Sequence, residues 1–264
     1  MKTILKSILK AGKQAYVKHS QAYFRITGHK VDCNICHYRA NRLFSDCWHR
    51  YVSCPSCGSG VRHRLVWATS TLLQEHRHLF QNKQVLHFAP NEWLGKRIRA
   101  VASEYKTADL LAEGYAYPHI DYNIDISKMT ILEGERFDCI VACDVLEHVP
   151  QQLAAIQEMF RVLKPGGFAV LTVPQRDDLE FTLEDLSISD PQLRKKMFGQ
   201  EDHLRIYGRD FPDLLSSQGF QVRVVDAMSF EERIRERYVL YPPVASPNPL
   251  ATNNRKVYLA MKAA

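Results

Sequence analysis

Four of the seven cysteines fall into two pairs, Cys33-x-x-Cys36 and Cys54-x-x-Cys57, with 17 residues between them. Two residues between thiolates let a tight turn aim both sulfurs at one point, and two such turns complete a tetrahedron with Zn–S distances of ~2.3 Å. Asn34 in the first pair and Pro55, Ser56 and Gly58 in the second are turn formers. The spacing therefore predicts a structural zinc site built from Cys33, Cys36, Cys54 and Cys57, closed to water and without chemistry of its own. Reduced, unligated thiols or two disulfides are the alternatives, and an odd cysteine count with a reducing compartment disfavours the second. Cys47, His37 and His49 lie between the pairs without a matching spacing.

Charge is concentrated around this module. Residues 1–78 carry a balance of +10 and residues 79–264 one of −4, within a chain total of +6. A basic first third suits nucleic acid, an acidic surface or a phosphorylated substrate, and equally a solvated face. Within residues 2–18, Ile4, Leu5, Ile8 and Leu9 recur at helical spacing among Lys2, Lys6, Lys10 and Lys13. This predicts a basic amphipathic helix, able to lie on an anionic surface or RNA, or to pack its stripe on the protein. Arg62-His63-Arg64 opens a further helical segment at the seam with the rest of the chain. Those residues are candidates for substrate contact or simple surface charge.

The remaining chain must position whatever chemistry there is. At 264 residues with 45% hydrophobic and 24% charged side chains, it can bury a core, which excludes wholesale disorder. No stretch approaches the ~18 apolar residues of a spanning helix, and the expectation is a cytoplasmic protein without a transmembrane segment. Val85–Phe88, Tyr105–Leu110, Phe137–Cys143, Phe168–Val173, Val222–Val225 and Val257–Met261 read as strands. Asn91–Ser103, the segment after Pro150 and Phe211–Ser217 read as helices between them, with Lys164-Pro165-Gly166-Gly167 as a stop and turn. Alternation of this kind implies an α/β layer with a largely parallel sheet, and a ligand at the carboxyl ends of its strands. Residues 175–202 form a long polar insertion, of the type used for lids or substrate walls. The expected organisation is a basic helix over 1–30, a zinc-ribbon-like module over 31–62 and an α/β domain over 63–264.

Phe137–Pro174, FDCIVACDVLEHVPQQLAAIQEMFRVLKPGGFAVLTVP, closely resembles the fourth-to-fifth-strand segment of class I S-adenosylmethionine (SAM)-dependent methyltransferases, nearest the type 11 group. The resemblance runs through residues 84–225 in order and is densest over those 38 residues. It implies a Rossmann-like seven-stranded sheet with a final antiparallel strand at Val257–Met261, and SAM as methyl donor. An N-terminal zinc-ribbon-like module also recurs in that superfamily.

The same resemblance assigns roles. His87, Phe88, Ala89 and Pro90 occupy the loop under the methionine part of SAM, where the family usually has glycine. Asp109 matches the acid that accepts from both ribose hydroxyls, a task suited to an acceptor-only carboxylate. Asp125 matches the acid near the adenine amino group, with Asp121 as its competitor. Cys143 and Asp144 end the fourth strand beside the transfer point. For a hydroxyl acceptor a base is needed, most often histidine. His203, in the polar loop Glu201–Gly208, is the favoured candidate and His148 the second, with Asp144 completing the catalytic set. Arg205 and Tyr207 are candidate substrate contacts.

The leading expectation is methyl transfer to a small-molecule or glycan-type acceptor. The alternatives are an RNA methyltransferase gripping phosphates through its basic third, and a non-catalytic scaffold, motivated by the glycine-free first loop. Asp144-Val145-Leu146-Glu147 lacks the Asn/Asp-Pro-Pro-aromatic signature of base-amine methylation. A nicotinamide enzyme is disfavoured by the absence of G-x-G-x-x-G after the first strand. The sequence sets no oligomeric state.

Overall fold

The computed structural model describes residues 22–24, 26–111 and 119–264; the basic helix expected over residues 2–18 lies outside them. Strands β1 (Val31–Asp32) and β2 (Arg39–Ala40) form a small antiparallel pair around the first cysteine turn. The two cysteine turns close alike: the amide of His37 donates to Cys33 O and that of Gly58 to Cys54 O, each at 2.8 Å. Each closure places its last residue in the left-handed region, His37 at φ 61 and Gly58 at φ 69. Glycine adopts that conformation at no steric cost, and the first turn adopts it with histidine. Helix α1 (Val61–Leu72) then leads out of the module.

The chain continues through β3 (Gln84–Phe88), α2 (Glu92–Arg99), β4 (Glu104–Asp109), β5 (Tyr122–Asn123) and β6 (Phe137–Cys143). Next come α3 (Gln152–Val162), β7 (Leu163–Thr172), β8 (Leu183–Glu184), α4 (Pro191–Phe198) and β9 (Arg205–Ile206). The last elements are α5 (Phe211–Ser216), β10 (Gln221–Asp226), α6 (Glu232–Arg237) and β11 (Lys256–Met261). Seven strands make one sheet in the order β10-β11-β7-β6-β3-β4-β5. β5, β4, β3, β6 and β7 pair in parallel, and β11 is antiparallel to both neighbours. This is the Rossmann-like α/β sheet expected from the sequence, with the final antiparallel strand where it was expected.

Side-chain alternation puts Leu86, Phe88, Ile140, Ala142 and Leu171 on one face, packed by Ile156 and Met159 of α3 and by Phe211 and Leu215 of α5. Val85, Cys139, Val141, Cys143 and Val170 face the other way, toward Leu65 and Ala68 of α1 and Leu94 and Ile98 of α2. One expectation needs correction. Lys164–Gly167 is not a turn: β7 starts at Leu163, pairs with Phe137, and passes a register shift before Cys139. Gly166 takes φ 73 there, and a side chain on Gly167 would lie 2.8 Å from Lys164 O, so the glycines serve an irregular strand entry. The insertion at 175–202 is structured: β8 pairs with β9, and Asp190 caps α4 by accepting from the Gln192 amide at 2.9 Å. Among the described residues, no helix is long and apolar enough to cross a membrane.

Candidate active site

A cleft of about 330 Å³ opens at the carboxyl ends of β3, β4 and β6, where a doubly wound sheet places its ligand. Phe88, Ala89, Asp109, Asp125, Asp144 and His148 line it, together with Leu110, Ile124, Ile126, Val145, Val149, Pro150 and Asp202. Ala89 stands at φ 45, so the first loop makes the left-handed turn that glycine would make with ease, and its amide donates to Ala108 O at 3.1 Å. Asp109 ends β4, and one of its oxygens accepts from the Leu111 amide at 2.7 Å. Asp125 is held by the Ser127 amide and hydroxyl, both at 2.7 Å.

Three residues expected at the cofactor lie off the cleft lining. His87 is fully buried on the α1/α2 face, where its Nδ1 meets the Tyr105 hydroxyl at 2.8 Å. Burial holds its pKa down at about 3. Cys143 points to the same face, and burial with the neighbouring Asp144 charge pushes its thiol up to about 12. Pro90 turns away at the start of α2. Asp121 bridges strands instead: one carboxylate oxygen accepts from the Thr107 amide at 2.8 Å and the Thr107 hydroxyl at 2.7 Å.

Asp144 sits at the junction with a second cavity of about 240 Å³. One oxygen accepts from Thr172 Oγ1 at 2.7 Å and Arg255 Nη1 at 2.9 Å; the other lies 3.2 Å from Arg62 Nη1. Burial alone would raise this acid, but Arg255, Arg62 and Thr172 hold it well below the usual carboxylate range. It is therefore a fixed anion rather than a proton acceptor.

The two histidines flank that junction. His148 lines the cleft and His203 the second cavity, with ring centroids 4.8 Å apart. His203 is buried, its Nδ1 3.0 Å from Phe198 O. A carbonyl only accepts, so Nδ1 carries the proton and Nε2 keeps its lone pair. Burial and the neighbouring His148 lower its pKa to about 4. His148 is partly desolvated, yet Asp202, 3.2 Å from its Nδ1, and Glu147 raise it overall. Glu147 is almost fully buried with neither oxygen hydrogen-bonded, 3.9 Å from both His148 Nε2 and His203 Nε2. Burial and the Asp144 charge push its carboxyl up to about 8. One ligand-capable atom from each of these three lies within 4.8 Å of the others, a grouping that could share a proton or close on a divalent cation.

Arg205 and Tyr207 do not line the cleft. Arg205 is fully buried, donating to Leu146 O at 2.6 Å and Val149 O at 2.7 Å and pairing with Glu184. Tyr207 donates to Gln152 Oε1 at 3.0 Å. They brace the turn that carries His148. Arg62 of the seam does reach the site, while His63 accepts from the Gly60 amide and Arg64 is buried. Sequence reasoning missed Arg255, which reaches the junction from a segment with no motif around it, and gave no role to Asp202, although it lies in the polar loop Glu201–Gly208 beside His203.

The four cysteines converge, with Cys33 Sγ 3.7 Å from Cys57 Sγ, Cys36 Sγ 3.6 Å from Cys54 Sγ, and all four within 4.8 Å of one another. Tetrahedral zinc with Zn–S of ~2.3 Å requires sulfurs about 3.8 Å apart, so the donor set fits that ion. Arg64 beside it donates to Ser59 O at 2.6 Å, Val52 O at 2.7 Å, Val239 O, Tyr238 O and the Ser59 hydroxyl. Burial lowers its pKa, and the charge of the nearby cysteines offsets part of that.

Fold, strand order and cleft together define a class I methyltransferase architecture. A family model described as "Methyltransferase domain" matches residues 57–225, well over half of the chain, and the chain belongs to that family. A ubiquinone biosynthesis O-methyltransferase of Cereibacter sphaeroides is 33% identical over 64 residues, 24% of this chain and 26% of that protein. A protein of Mycolicibacterium smegmatis named a probable S-adenosylmethionine-dependent methyltransferase is 26% identical over 121 residues, 44% of this chain and 45% of that one. The chain thus spans between a quarter and a half of the length of these relatives. Among solved structures, a Burkholderia thailandensis 1,6-didemethyltoxoflavin-N1-methyltransferase, bound to 1,6-didemethyltoxoflavin and S-adenosylhomocysteine (SAH), superposes with a TM-score of 0.47 at 14% identity. That superposition covers 76% of this chain and 82% of the other.

Proposed function

We propose that this protein transfers a methyl group from SAM, held in the first cleft, to a small-molecule or glycan-type acceptor. The observation that carries the reading is Asp109 at the end of β4, facing a largely apolar cleft that meets a second cavity at Asp144. SAM, when bound, supplies an already activated methyl group, so the chain's task is alignment and exclusion of water. Asp109 accepts from the ribose diol, Asp125 faces the adenine side, and the backbone at Ala89 lets the methionine part approach. Asp144, clamped by two arginines, presents a fixed negative charge beside the cationic sulfur. The His148–His203 pair serves a hydroxyl acceptor. Of the two, His148, held by Asp202 and raised in pKa, is the better proton acceptor. His203, kept neutral by burial, positions it. The four cysteines would hold zinc in a closed structural site.

The test is isothermal titration with SAH. Wild type binds, and Asp109→Ala weakens binding by about 10- to 100-fold, the loss of hydrogen bonds to a charged acceptor worth ~1.5–3 kcal/mol. No binding at millimolar SAH would leave a non-catalytic scaffold instead.

A further inference from the structure

We propose that the second cavity is the acceptor pocket, and that it selects an acceptor bearing an oxyanion, a carboxylate or a phosphate. The inference rests on the methyl-transfer reading of the neighbouring cleft. Three independent features of the cavity wall lead to it.

The first is position. The two cavities share Asp144, and the histidine pair is divided between them, His148 on the cleft side and His203 on the other. A molecule in the second cavity therefore meets one in the cleft where proton acceptors stand.

The second is a surplus of donors. Arg62, from the first turn of α1, and Arg255, just before β11, both direct Nη1 at Asp144, so two guanidinium groups share one carboxylate. Thr172 supplies a further donor to that acid. Beyond Asp144, Arg255 donates only to Val173 O at 3.1 Å, again through Nη1. Arg62 Nε is buried without any acceptor. A guanidinium carries five N–H groups, and most of these ten have no protein acceptor among the described residues. His49 Nε2, also on this wall, is buried without a partner. The second acid on the wall, Asp46, is exposed and already accepts from the Trp48 and His49 amides at 2.8 and 2.7 Å. Its charge is thus screened by water and pinned to its own loop.

The third is the helix end. Gly60 and Val61 bring the N-terminus of the 12-residue helix α1 to the wall, with no acidic residue in its first turn. The positive end of the helix dipole adds to the two arginines. Arg62 is part-exposed and Arg255 mostly buried, so an uncharged acceptor would leave part of this donor set without partners, whereas a carboxylate or phosphate accepts from several at once, in charge-assisted bonds. Beyond Trp48, Gly199 and Leu250 the cavity continues into a wider groove bordered by Lys195, Lys196, Glu201 and Asp202, with Lys195 paired to Glu201 at 3.1 Å, which leaves room for the rest of the acceptor.

The experiment titrates full-length, SAH-saturated protein with inorganic phosphate and, separately, with benzoate, in a buffer free of other oxyanions. At least one anion is expected to bind without displacing SAH, and its identity distinguishes a phosphate handle from a carboxylate. Arg62→Gln should weaken that binding by about tenfold or more while SAH still binds. His49→Ala, on the cysteine-module side of the wall and not among the residues bonded to Asp144, should weaken it about threefold, and supplies the test if Arg62→Gln fails to fold. The proposal is overturned if neither anion binds a protein that binds SAH normally, if the anion competes with SAH, or if binding is indifferent to both substitutions. Anion binding without any SAH binding would remove the methyl-transfer reading, and the acceptor role of the cavity with it.

Discussion

Ala89 occupies the left-handed backbone region at φ 45, which costs a residue with a Cβ about 1–2 kcal/mol. Glycine would remove that cost while adding up to about 1 kcal/mol of unfolded-chain entropy. Ala89→Gly should therefore leave stability unchanged or raise it by up to about 1 kcal/mol, with SAH affinity intact. Ala89→Val, β-branched, should lose about 1–2 kcal/mol in urea unfolding and weaken SAH binding as well. Equal stability for both variants would show that the turn is unstrained. Glu147 sets a pH signature. Its carboxyl titrates near 8 in the fold against 4.5 as its ordinary value, so between those values the native state holds a proton that the unfolded state has released. Stability must then fall as pH rises through that window, and the raised pKa of His148 acts in the same direction. Between pH 7 and 8.5 the wild-type Tm should decline, and Glu147→Gln should flatten the decline; parallel curves would mean that Glu147 is ionised in the fold. That Asp109 and Asp125 line the cleft was legible through the family resemblance, Asp109 at the end of a recognisable strand and Asp125 only in competition with Asp121. Arg255 was not, because a lone arginine in a loop becomes meaningful only when the sheet brings it to Asp144 across 111 positions.

At the scale of elements, β6 was readable residue for residue, since a strand buried on both faces leaves an apolar run, interrupted here by Asp138 at its second position. β5 is two residues long and carries no such pattern. Lys164–Gly167 misled for a physical reason: Pro and Gly punctuate most chains, yet here pairing with Phe137 outweighs their local preference. Arg205 and Tyr207 misled through alternation. Their alternate spacing suggested a shared pocket face, but Arg205, Ile206 and Tyr207 are all fully buried where the insertion folds back and pairs β8 with β9. Arg205 is consequently a brace. It joins Glu184 of β8 to Leu146 O and Val149 O in the turn carrying His148. Arg205→Leu removes the donor to the buried Leu146 and Val149 carbonyls, while the part-exposed Glu184 keeps Gln152 Nε2 at 3.1 Å, so a stability loss of about 1–3 kcal/mol is expected. Turnover should fall further than the folded fraction does, because His148 loses its support. A variant of full stability and full activity would show that the turn holds itself.

For the whole molecule, the question is why a four-cysteine module belongs to a chain of the methyltransferase family at all. It is fastened at several points: Asn34 donates to Arg64 O at 2.9 Å, Arg97 to Ile35 O at 2.5 Å, and Arg237 pairs with Asp32 at 2.7 Å. Its apolar core is shared with Trp67 of α1, Trp93 of α2 and Val239. The segment between its cysteine pairs then supplies Asp46, Cys47, Trp48, His49 and Val52 to the wall of the second cavity, and nothing to the lining of the first cleft. The division of labour predicts a division of effects. Purified protein should contain about one zinc per chain. Removing it frees four converging thiols, three of them buried, so the 37–53 segment loses its main anchor and the second cavity loses a wall. SAH affinity, set by the ends of β3, β4 and β6, should survive largely intact in the chelated protein. Oxyanion binding and methyl transfer should be lost and return on adding zinc. Loss of SAH binding in parallel with anion binding would mean instead that the module supports the whole sheet through Arg64 rather than one wall of one pocket.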